Sequence, residues 1–226
     1  MGLLKKLFRR TPERTQPYCA ALIAAAGSST RYGGENKLLQ ELGGMQVLAR
    51  TLLAVDRAES IDEIVIAARE DELLTYAQLC KTFDLQKPVK VVLGGATRTE
   101  SVLRAACEAS PEAALLAVQD GARPLVTSAL IDEVVLAAQQ YHAAAPAIPV
   151  TDTVKVAVNG VVESTPERSK LFAVQTPQVF DAELLKAALQ DALRANAALT
   201  DDCSAVERFG KEVHLTEGDA ENIKIT

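Results

Sequence analysis

The sequence is poor in the residues that form zinc sites and disulfide frameworks. It contains two histidines, His142 and His214, and four widely spaced cysteines with no C-x-x-C pair. This pattern argues against a zinc site and favours reduced thiols in a cytoplasmic protein. No apolar run reaches the roughly 18 residues that a membrane-spanning helix needs, so we expect no membrane span. The net charge of −6 gives no support to binding of nucleic acid.

The sequence also lacks the two common nucleotide-binding loops. A P-loop needs G-x-x-x-x-G-K-[ST], but Gly33 and Gly34 are followed by Glu-Asn-Lys. A dinucleotide-binding loop needs G-x-G-x-x-G, but Gly27 is followed by Ser-Ser. A nucleotide site in this chain would therefore have to be built differently.

The first 17 residues differ in charge from the rest of the chain. They hold five basic residues and one acidic residue. We interpret residues 1–17 as a basic tail that is frayed and solvated. A weak amphipathic segment that lies on a membrane surface is the alternative. Residues 18–226 are expected to form a single domain.

The rest of the chain alternates apolar runs with segments of helical spacing. We predict strands at 19–26, 61–68, 89–93, 114–118, 145–150, 213–216 and 222–225. We predict helices at 47–58, 72–83, 97–109, 128–141, 181–195 and 200–210, with Thr97 and Thr200 as two of the N-caps. Such alternation produces βαβ units with right-handed crossovers. The predicted fold class is α/β, with a Rossmann-like, mostly parallel sheet flanked by helices.

The segment after the fifth strand breaks this alternation. Val154, Val156 and Val158 alternate with polar or small residues, and Asn159-Gly160 follows. Asn-Gly favours a type I′ turn because both central residues need positive φ. We therefore predict an inserted β-hairpin within about 151–172, the arm. Because an isolated hairpin is marginal in water, we expect the arm to pack on a second copy of the chain.

Three loops are expected at the carboxyl edge of the sheet, where open α/β sheets bind ligands. The first contains Gly27, Arg31 and Lys37, the second contains Gly94 and Gly95, and the third runs from Asp120 to Arg123. Arg31 can bind two phosphate oxygens, and Lys37 supplies a mobile positive charge. Each loop also has a simpler interpretation: two solvated cations, a helix cap, or an Asp–Arg pair that holds a turn.

The third loop also suggests a metal site. Asp120 would hold a Mg²⁺ through its oxygens, with phosphates completing the coordination shell. Arg123 would then face an anionic substrate. In the second loop, Gly94, Gly95 and Ser101 lie beside a predicted helix N-terminus, which suits a surface that binds a base or a phosphate.

Seven motifs occur in order over residues 19–226: AAAGSSTR…NK, GGATRTESV, QDGARP, PVTDTVK, ER…TPQ, TDDCSA and ENIKIT. Together they resemble the 2-C-methyl-D-erythritol 4-phosphate cytidylyltransferase family of the non-mevalonate isoprenoid pathway. The resemblance implies that CTP and methylerythritol phosphate give CDP-methylerythritol and pyrophosphate, with Mg²⁺ as cofactor. The substrate phosphate would attack the α-phosphorus of CTP without a general base, so positioning and electrostatic stabilisation would carry catalysis.

The resemblance also implies roles for individual residues. The expected catalytic residues are Arg31, Lys37, Arg168 and Lys224. The expected nucleotide-binding residues are Ala25, Ala26, Gly27, Gly95, Ser101 and Gly121. The expected substrate-binding residues are Asp120, Arg123, Thr153, Arg168, Thr200 and Lys224, with Asp120 also as the metal ligand. In this family the arginine and the threonine that correspond to Arg168 and Thr153 come from the arm of the second subunit, which implies a homodimer. By position alone, Arg168 and Lys224 also fit ordinary surface cations, and Thr200 also fits a helix cap.

Two positions depart from the family pattern. Family members usually have Pro before the catalytic lysine and His or Asn before the Asp of the third motif, whereas this chain has Asn36 and Gln119. A pentitol-phosphate cytidylyltransferase, of the ribitol 5-phosphate type, shares most of these motifs. A guanylyltransferase of molybdenum-cofactor type shares the first loop alone. A non-catalytic nucleotide-binding regulator would keep the fold without the reaction.

Overall fold

The computed structural model of this chain describes residues 16–27 and 36–226. Most of the predicted basic tail and the predicted catalytic Arg31 lie outside the described residues. The strands are β1 Cys19–Ala24, β2 Glu41–Leu42, β3 Met45–Gln46, β4 Glu63–Ala68, β5 Val89–Leu93, β6 Leu115–Asp120, β7 Ala143–Pro149, β8 Val156–Val158, β9 Val161–Ser164, β10 Phe172–Val174, β11 Gln178–Asp181 and β12 His214–Glu217. The helices are α1 Val47–Arg57, α2 Leu73–Thr82, α3 Arg98–Glu108, α4 Ser128–Tyr141, α5 Ala182–Arg194 and α6 Asp202–Arg208. Short 3₁₀ helices cover Glu70–Glu72 and Arg168–Lys170.

A mostly parallel, eight-stranded sheet forms the centre of the molecule. Its strand order is β10-β7-β11-β6-β1-β4-β5, and β12 pairs in parallel with β7. The strands β6, β1, β4 and β5 are parallel to one another, whereas β11 lies antiparallel between β6 and β7. This topology confirms the predicted α/β class with a Rossmann-like sheet.

Both faces of the sheet are buried because its central strands are continuous apolar runs. Along β1, Cys19, Ala21 and Ile23 pack into one hydrophobic cluster, while Ala20 and Leu22 pack into the other. Helices α1, α2 and α4 cover the first face, and helices α3, α5 and α6 cover the second. Since both faces are covered by helices, the ends of the strands are where a ligand can approach. No helix among the described residues is long and apolar enough to cross a bilayer.

Most of the predicted strands and helices are found within two residues of their predicted bounds. Two predictions are wrong. The 222–225 segment is not a strand, because side-chain and loop contacts hold it: Asn222 Nδ2 donates to the Thr176 carbonyl, and Ile225 N donates to the Ala122 carbonyl at 2.9 Å. Thr200 is not the N-cap of α6, because the Asp201 carboxylate accepts the Ser204 N–H at 2.9 Å. The short strands β2, β3, β10 and β11 were not predicted from the sequence.

The predicted hairpin is present as a separate two-stranded sheet. β8 and β9 pair antiparallel, and φ is +51° at Asn159 and +80° at Gly160, as a type I′ turn requires. Every residue of both strands is exposed. Its role as a dimerisation arm stays a prediction.

Candidate active site

The carboxyl ends of four parallel strands lie side by side at one edge of the sheet. The register pairs Ala24 of β1 with Asp120 of β6, and Ala68 of β4 with Leu93 of β5. β1 and β4 are themselves neighbours in the sheet. The loops that leave these strand ends are therefore adjacent, as the sequence predicts, and the candidate site is built on them.

The first two loops touch through small residues. Gly94 N donates to the Ala68 carbonyl at 2.8 Å, and a Cβ at position 94 would lie only 2.6 Å from the Ala26 Cβ. A side chain there would push the loops apart, so this close approach requires glycine. Ala25 is buried, whereas Gly27 is exposed with open space around its Cα. The predicted nucleotide-binding stretch thus runs from the core to an open surface.

The second loop is fastened to the start of α3. The Thr97 hydroxyl accepts the Glu100 N–H at 3.1 Å, and the Glu100 carboxylate accepts the Ala96 N–H at 2.8 Å. The Ser101 hydroxyl accepts the Gly95 N–H at 2.9 Å and donates to the Thr97 carbonyl at 2.8 Å. Ser101 is buried, so its hydroxyl shapes this loop from inside. Nucleotide contacts of Gly95 and Ser101 stay predictions.

The third loop is backed by α1. The Thr51 Oγ1 atom is fully buried and lies 3.0 Å and 3.1 Å from the carbonyl oxygens of Gly121 and Arg123. A Cβ at Gly121 would lie 3.1 Å from the Leu48 Cδ1 atom. Close packing on α1 therefore fixes the loop that presents Asp120.

Asp120, the last residue of β6, lies among three cations. Lys224 Nζ is 2.7 Å from Asp120 Oδ2, Arg98 Nη2 is 3.5 Å from Oδ1, and Arg123 Nε is 3.7 Å from Oδ2. Burial alone would raise the pKa of Asp120, but the positive charges of Arg98, Lys224 and Arg123 outweigh it and hold the pKa below its ordinary value. Asp120 is therefore ionised at neutral pH and orders the cations around it.

Arg98, the first residue of α3, links this cluster to a second buried carboxylate. Its Nη1 atom lies 2.7 Å from Asp202 Oδ2, at the start of α6. Burial raises the pKa of Asp202, and the charge of Arg98 opposes that rise. Burial would lower the pKa of Arg98, but Asp202 and Asp120 outweigh it and raise the pKa, so the guanidinium stays charged. Arg98 therefore joins two helix N-termini to the end of β6.

The segment that contains Lys224 brings distant cations together. The Asn222 carbonyl accepts a hydrogen bond from Arg123 Nη1 at 2.5 Å. Lys37 Nζ donates to the Ile225 carbonyl at 2.7 Å, beside Lys224. Burial lowers the pKa of Arg123 although the nearby acid opposes the shift, and its guanidinium faces inward on this segment. Lys37 therefore contacts the segment that carries Lys224, the other predicted catalytic lysine, although the two are remote in sequence.

Three predicted substrate-binding residues lie on the surface of the chain. Arg168 is exposed, and its Nη1 atom donates to the Thr151 carbonyl at 2.9 Å. Thr153 is exposed in the segment between β7 and β8. Thr200 is exposed, with its hydroxyl 2.9 Å from the Ser204 hydroxyl. The contacts described for this single chain do not join these residues to Asp120.

A metal ion does not fit directly on Asp120 in this arrangement. Within residues 16–27 and 36–226, no three or more His, Cys, Asp or Glu side chains are grouped so as to hold a metal ion. Cations surround Asp120, and Asp202 is paired with Arg98. A Mg²⁺ bound to Asp120 would meet these positive charges and would have to displace Lys224. Phosphate oxygens of a nucleotide are ordinary Mg²⁺ ligands, and magnesium stays a prediction on that basis.

Sequence reasoning does not single out Arg98, Asp202 or Asn222. Each stands in a motif that carries the resemblance: GGATRTESV, TDDCSA and ENIKIT, respectively. Membership in these motifs is the signal that could have identified them. Their pairing across the fold is not written in any local spacing, because Arg98 contacts acids from β6 and α6.

The cluster carries a surplus of positive charge. Its cations are Lys37, Arg98, Arg123 and Lys224, and its carboxylates are Asp120, Asp202 and Asp201, whose charge also acts on Arg98. Ordered cations at the edge of a sheet can bind phosphate groups and stabilise negative charge that develops on them during a reaction. The arrangement therefore suits chemistry between two anionic reactants.

Comparison with known proteins agrees with the resemblance of the motifs. The family model described as IspD, 2-C-methyl-D-erythritol 4-phosphate cytidylyltransferase, matches residues 19–226. A curated 2-C-methyl-D-erythritol 4-phosphate cytidylyltransferase from Bacillus thuringiensis (strain Al Hakam) is 41% identical over 206 residues, which is 91% of either chain.

Solved structures share the fold. The crystal structure of 4-diphosphocytidyl-2C-methyl-D-erythritol synthase from Anaerococcus prevotii DSM 20548 superposes with a TM-score of 0.83 at 31% identity, covering 93% of this chain and 91% of that one. The crystal structure of 2-C-methyl-D-erythritol 4-phosphate cytidylyltransferase from Thermus thermophilus gives a TM-score of 0.73 at 32% identity, covering 92% of this chain and 93% of that one.

Proposed function

This chain belongs to the 2-C-methyl-D-erythritol 4-phosphate cytidylyltransferase family, and from that premise we propose that it transfers CMP from CTP to 2-C-methyl-D-erythritol 4-phosphate. The products are CDP-methylerythritol and pyrophosphate, on the route to isoprenoid precursors. The structural observation that supports this most is the surplus of positive charge around Asp120, at the carboxyl ends of the parallel strands. Both substrates are small, soluble anions, which suits a cytoplasmic enzyme.

In the proposed reaction, a phosphate oxygen of methylerythritol phosphate attacks the α-phosphorus of CTP, and pyrophosphate leaves from the opposite side. Arg31 and Lys37 stabilise the negative charge that builds up at the α-phosphate. Lys224 is oriented by Asp120 and binds the phosphate of the sugar alcohol. The loops around Gly27, Gly95 and Ser101 hold the cytidine and the triphosphate. No proton transfer is needed, because a phosphate is already a nucleophile near neutral pH.

Magnesium is proposed to enter with CTP. It would neutralise part of the triphosphate charge and make pyrophosphate a better leaving group. Lys224 would stay paired with Asp120.

The arm is proposed to complete the site of a second copy of the chain. Val156, Val158, Val161 and Val162 are 44–68% exposed and line both strands of the hairpin. A separate hairpin with an apolar surface is marginal in water unless something covers it. Because Arg168 and Thr153 are exposed on the same segment, a homodimer that buries the arm would be able to carry them to the neighbouring site.

Pyrophosphate release from the purified protein with CTP, Mg²⁺ and each candidate sugar phosphate tests this proposal. We expect release with methylerythritol phosphate and little with ribitol 5-phosphate. The opposite preference would favour the pentitol-phosphate alternative. Binding of CTP without pyrophosphate release from any sugar phosphate would favour a regulator. Release with GTP but not with CTP would contradict the assignment to cytidylyl transfer.

A further inference from the structure

Asn36, which immediately precedes Lys37, is tied to α2 by its side chain. Its Nδ2 atom donates to the Tyr76 hydroxyl at 2.9 Å and to Glu72 Oε1. The Tyr76 hydroxyl donates in turn to Glu72 Oε2 at 3.1 Å, and Arg69 Nη2 lies 2.7 Å from Glu72 Oε1. Tyr76 is fully buried and Glu72 nearly so. These four side chains, Asn36, Arg69, Glu72 and Tyr76, form the anchor network.

The hydrogen bonds of the anchor network are mutually consistent. Both protons of the Asn36 amide are used, and its Oδ1 atom accepts the Leu38 N–H at 2.9 Å. Burial raises the pKa of Tyr76, and the neighbouring Glu72 adds to the rise, so Tyr76 is a neutral donor at physiological pH. Arg69 Nε is the one buried side-chain atom of these four residues that lacks a hydrogen-bond partner. A buried polar network whose other donors and acceptors are matched favours a single arrangement.

The anchor network fixes the turn on which Lys37 stands. The Asn36 carbonyl accepts the Leu39 N–H at 3.1 Å, and the Leu38 carbonyl accepts the Leu48 N–H at 2.9 Å. Leu38 itself is packed in the core. The backbone of Lys37 is thus held on one side by Asn36 and on the other by Leu38, while its ammonium reaches the site.

We propose that Asn36 is a positioning residue for Lys37, and that Glu72 and Tyr76 act through it. The inference rests on the proposed function, in which Lys37 stabilises charge at the α-phosphate of CTP. A proline, which the family resemblance leads one to expect at this position, restricts the chain by its ring. Asn36 achieves the same restriction by hydrogen bonds to buried partners. Lys37 is therefore placed before the nucleotide binds, and little ordering remains for the transition state.

A double-mutant cycle on activity tests the coupling between Asn36 and Lys37. We expect Asn36→Ala to lower kcat by about 10- to 100-fold with a smaller change in the KM for CTP, since a misplaced catalytic group loses mainly transition-state stabilisation. In the Lys37→Ala background the same change should lower kcat by no more than about twofold. Equal losses in both backgrounds would overturn the proposal.

Milder variants and a matched control guard against loss of folding. Tyr76→Phe keeps the buried ring and removes two hydrogen bonds, the one accepted from Asn36 and the one donated to Glu72, so kcat should fall by about 3- to 10-fold. Glu72→Gln should behave in the same way. Gln78→Ala changes an exposed residue of the same helix and should leave kcat unchanged. Full activity of Tyr76→Phe together with Glu72→Gln would also contradict the proposal.

Amide hydrogen exchange measures how firmly the anchor network holds the turn, independently of activity. The Leu38 amide should exchange about tenfold faster in Asn36→Ala than in the wild type or in Gln78→Ala, because its acceptor is gone and the turn opens more often. Unchanged exchange at Leu38 would overturn the anchor even if the enzyme is active. Conversely, if Leu38 exchange is faster in Asn36→Ala than in the wild type while the wild type releases no pyrophosphate, that result would contradict the proposed function but would support the hydrogen bonds of the anchor network.

Discussion

Asp120 combines burial with a full negative charge because cations from three parts of the fold surround it. A buried, uncompensated carboxylate would take up a proton rather than stay ionised. The same geometry means that each cation is held in place by Asp120. The residue therefore contributes to stability and to the arrangement of the site at once.

Replacing Lys224 with Met should raise the pKa of Asp120, because one of the three charges that lower it is removed. NMR titration of the Asp120 carboxyl carbon measures this directly. In the wild type the folded-state pKa lies below the unfolded value. The ionised group therefore stabilises the fold above the unfolded pKa, and this contribution is lost as pH falls through the folded pKa. Lys224→Met should weaken this acid dependence.

Lys211→Met is the control for that titration, since Lys211 is an exposed lysine. It should leave the Asp120 pKa unchanged. Lys224→Met should also reduce kcat, whereas Lys211→Met should not. A Lys224→Met protein with an unaltered Asp120 pKa would show that the ion pair does not persist in solution.

Arg98→Ala should destabilise the fold by about 3 kcal/mol, because it leaves the fully buried Asp202 without its compensating charge. Denaturant unfolding measures the loss. Arg104→Ala on the same helix is the matched control: Arg104 pairs with Glu100 at the surface, so its loss should cost no more than about 1 kcal/mol.

Removing both members of the buried pair tests the cause. The double variant Arg98→Met/Asp202→Asn should recover part of the lost stability, since no unpaired charge remains in the interior. This explanation of the Arg98–Asp202 pair would be contradicted if the double variant lost more unfolding free energy than the two single variants lose together.

At the scale of elements, the hairpin β8–β9 is separate from the core and depends on its turn. Gly160 has φ of +80°, and Gly210, just after α6, has φ of +81°; a Cβ at either position would meet nothing within 4 Å. The two glycines therefore share the same left-handed backbone conformation, one in the hairpin and one after α6. Alanine in the left-handed region costs about 1 kcal/mol at either position.

Gly160→Ala should weaken self-association by about fivefold, which corresponds to about 1 kcal/mol, because it disfavours the hairpin that the proposed dimer buries. Analytical ultracentrifugation gives the dissociation constant. Gly210→Ala should lower the melting temperature and leave self-association unchanged. If the wild type sediments as a monomer at micromolar concentration, the arm has another role.

Long elements were predictable from the sequence because each carries its own signal. β1 and β4 are continuous apolar runs, and α4 has helical spacing with a Thr127 cap. β10 and β11 are short and follow a segment that resembles a loop, so only their pairing with β7 and β6 makes them strands.

The residues of the candidate site could be predicted from the sequence where the type and position of a single residue indicate its chemistry. Asp120, Arg123, Lys37 and Lys224 could be singled out because charged residues follow strand ends or lie in the motifs. The residue or carbonyl group that each of them contacts could not be predicted. Asn36 is a residue type common in loops, and nothing local indicates that its amide donates to the hydroxyl of the buried Tyr76. Such pairings depend on tertiary packing, which short sequence windows do not contain.

At the scale of the whole molecule, mixing two inactive proteins tests whether two copies share a site. Arg31→Ala and Arg168→Ala chains should each be inactive alone. In a two-fold symmetric dimer, an equal mixture that exchanges subunits should regain about a quarter of wild-type activity, because half the dimers are mixed and each has one intact site. No recovery, despite exchange shown by native mass spectrometry, would contradict a shared site.

The position of residues 222–225 in the chain has a consequence for synthesis on the ribosome. The sheet needs no residue beyond β12, and domains begin to fold while the chain is still emerging. Yet Lys224 pairs with Asp120, and the carbonyl that Lys37 contacts belongs to Ile225. The residues that complete the cationic cluster therefore leave the ribosome after every described strand of the sheet. Asp120 is surrounded by all three of its cations only once they have emerged.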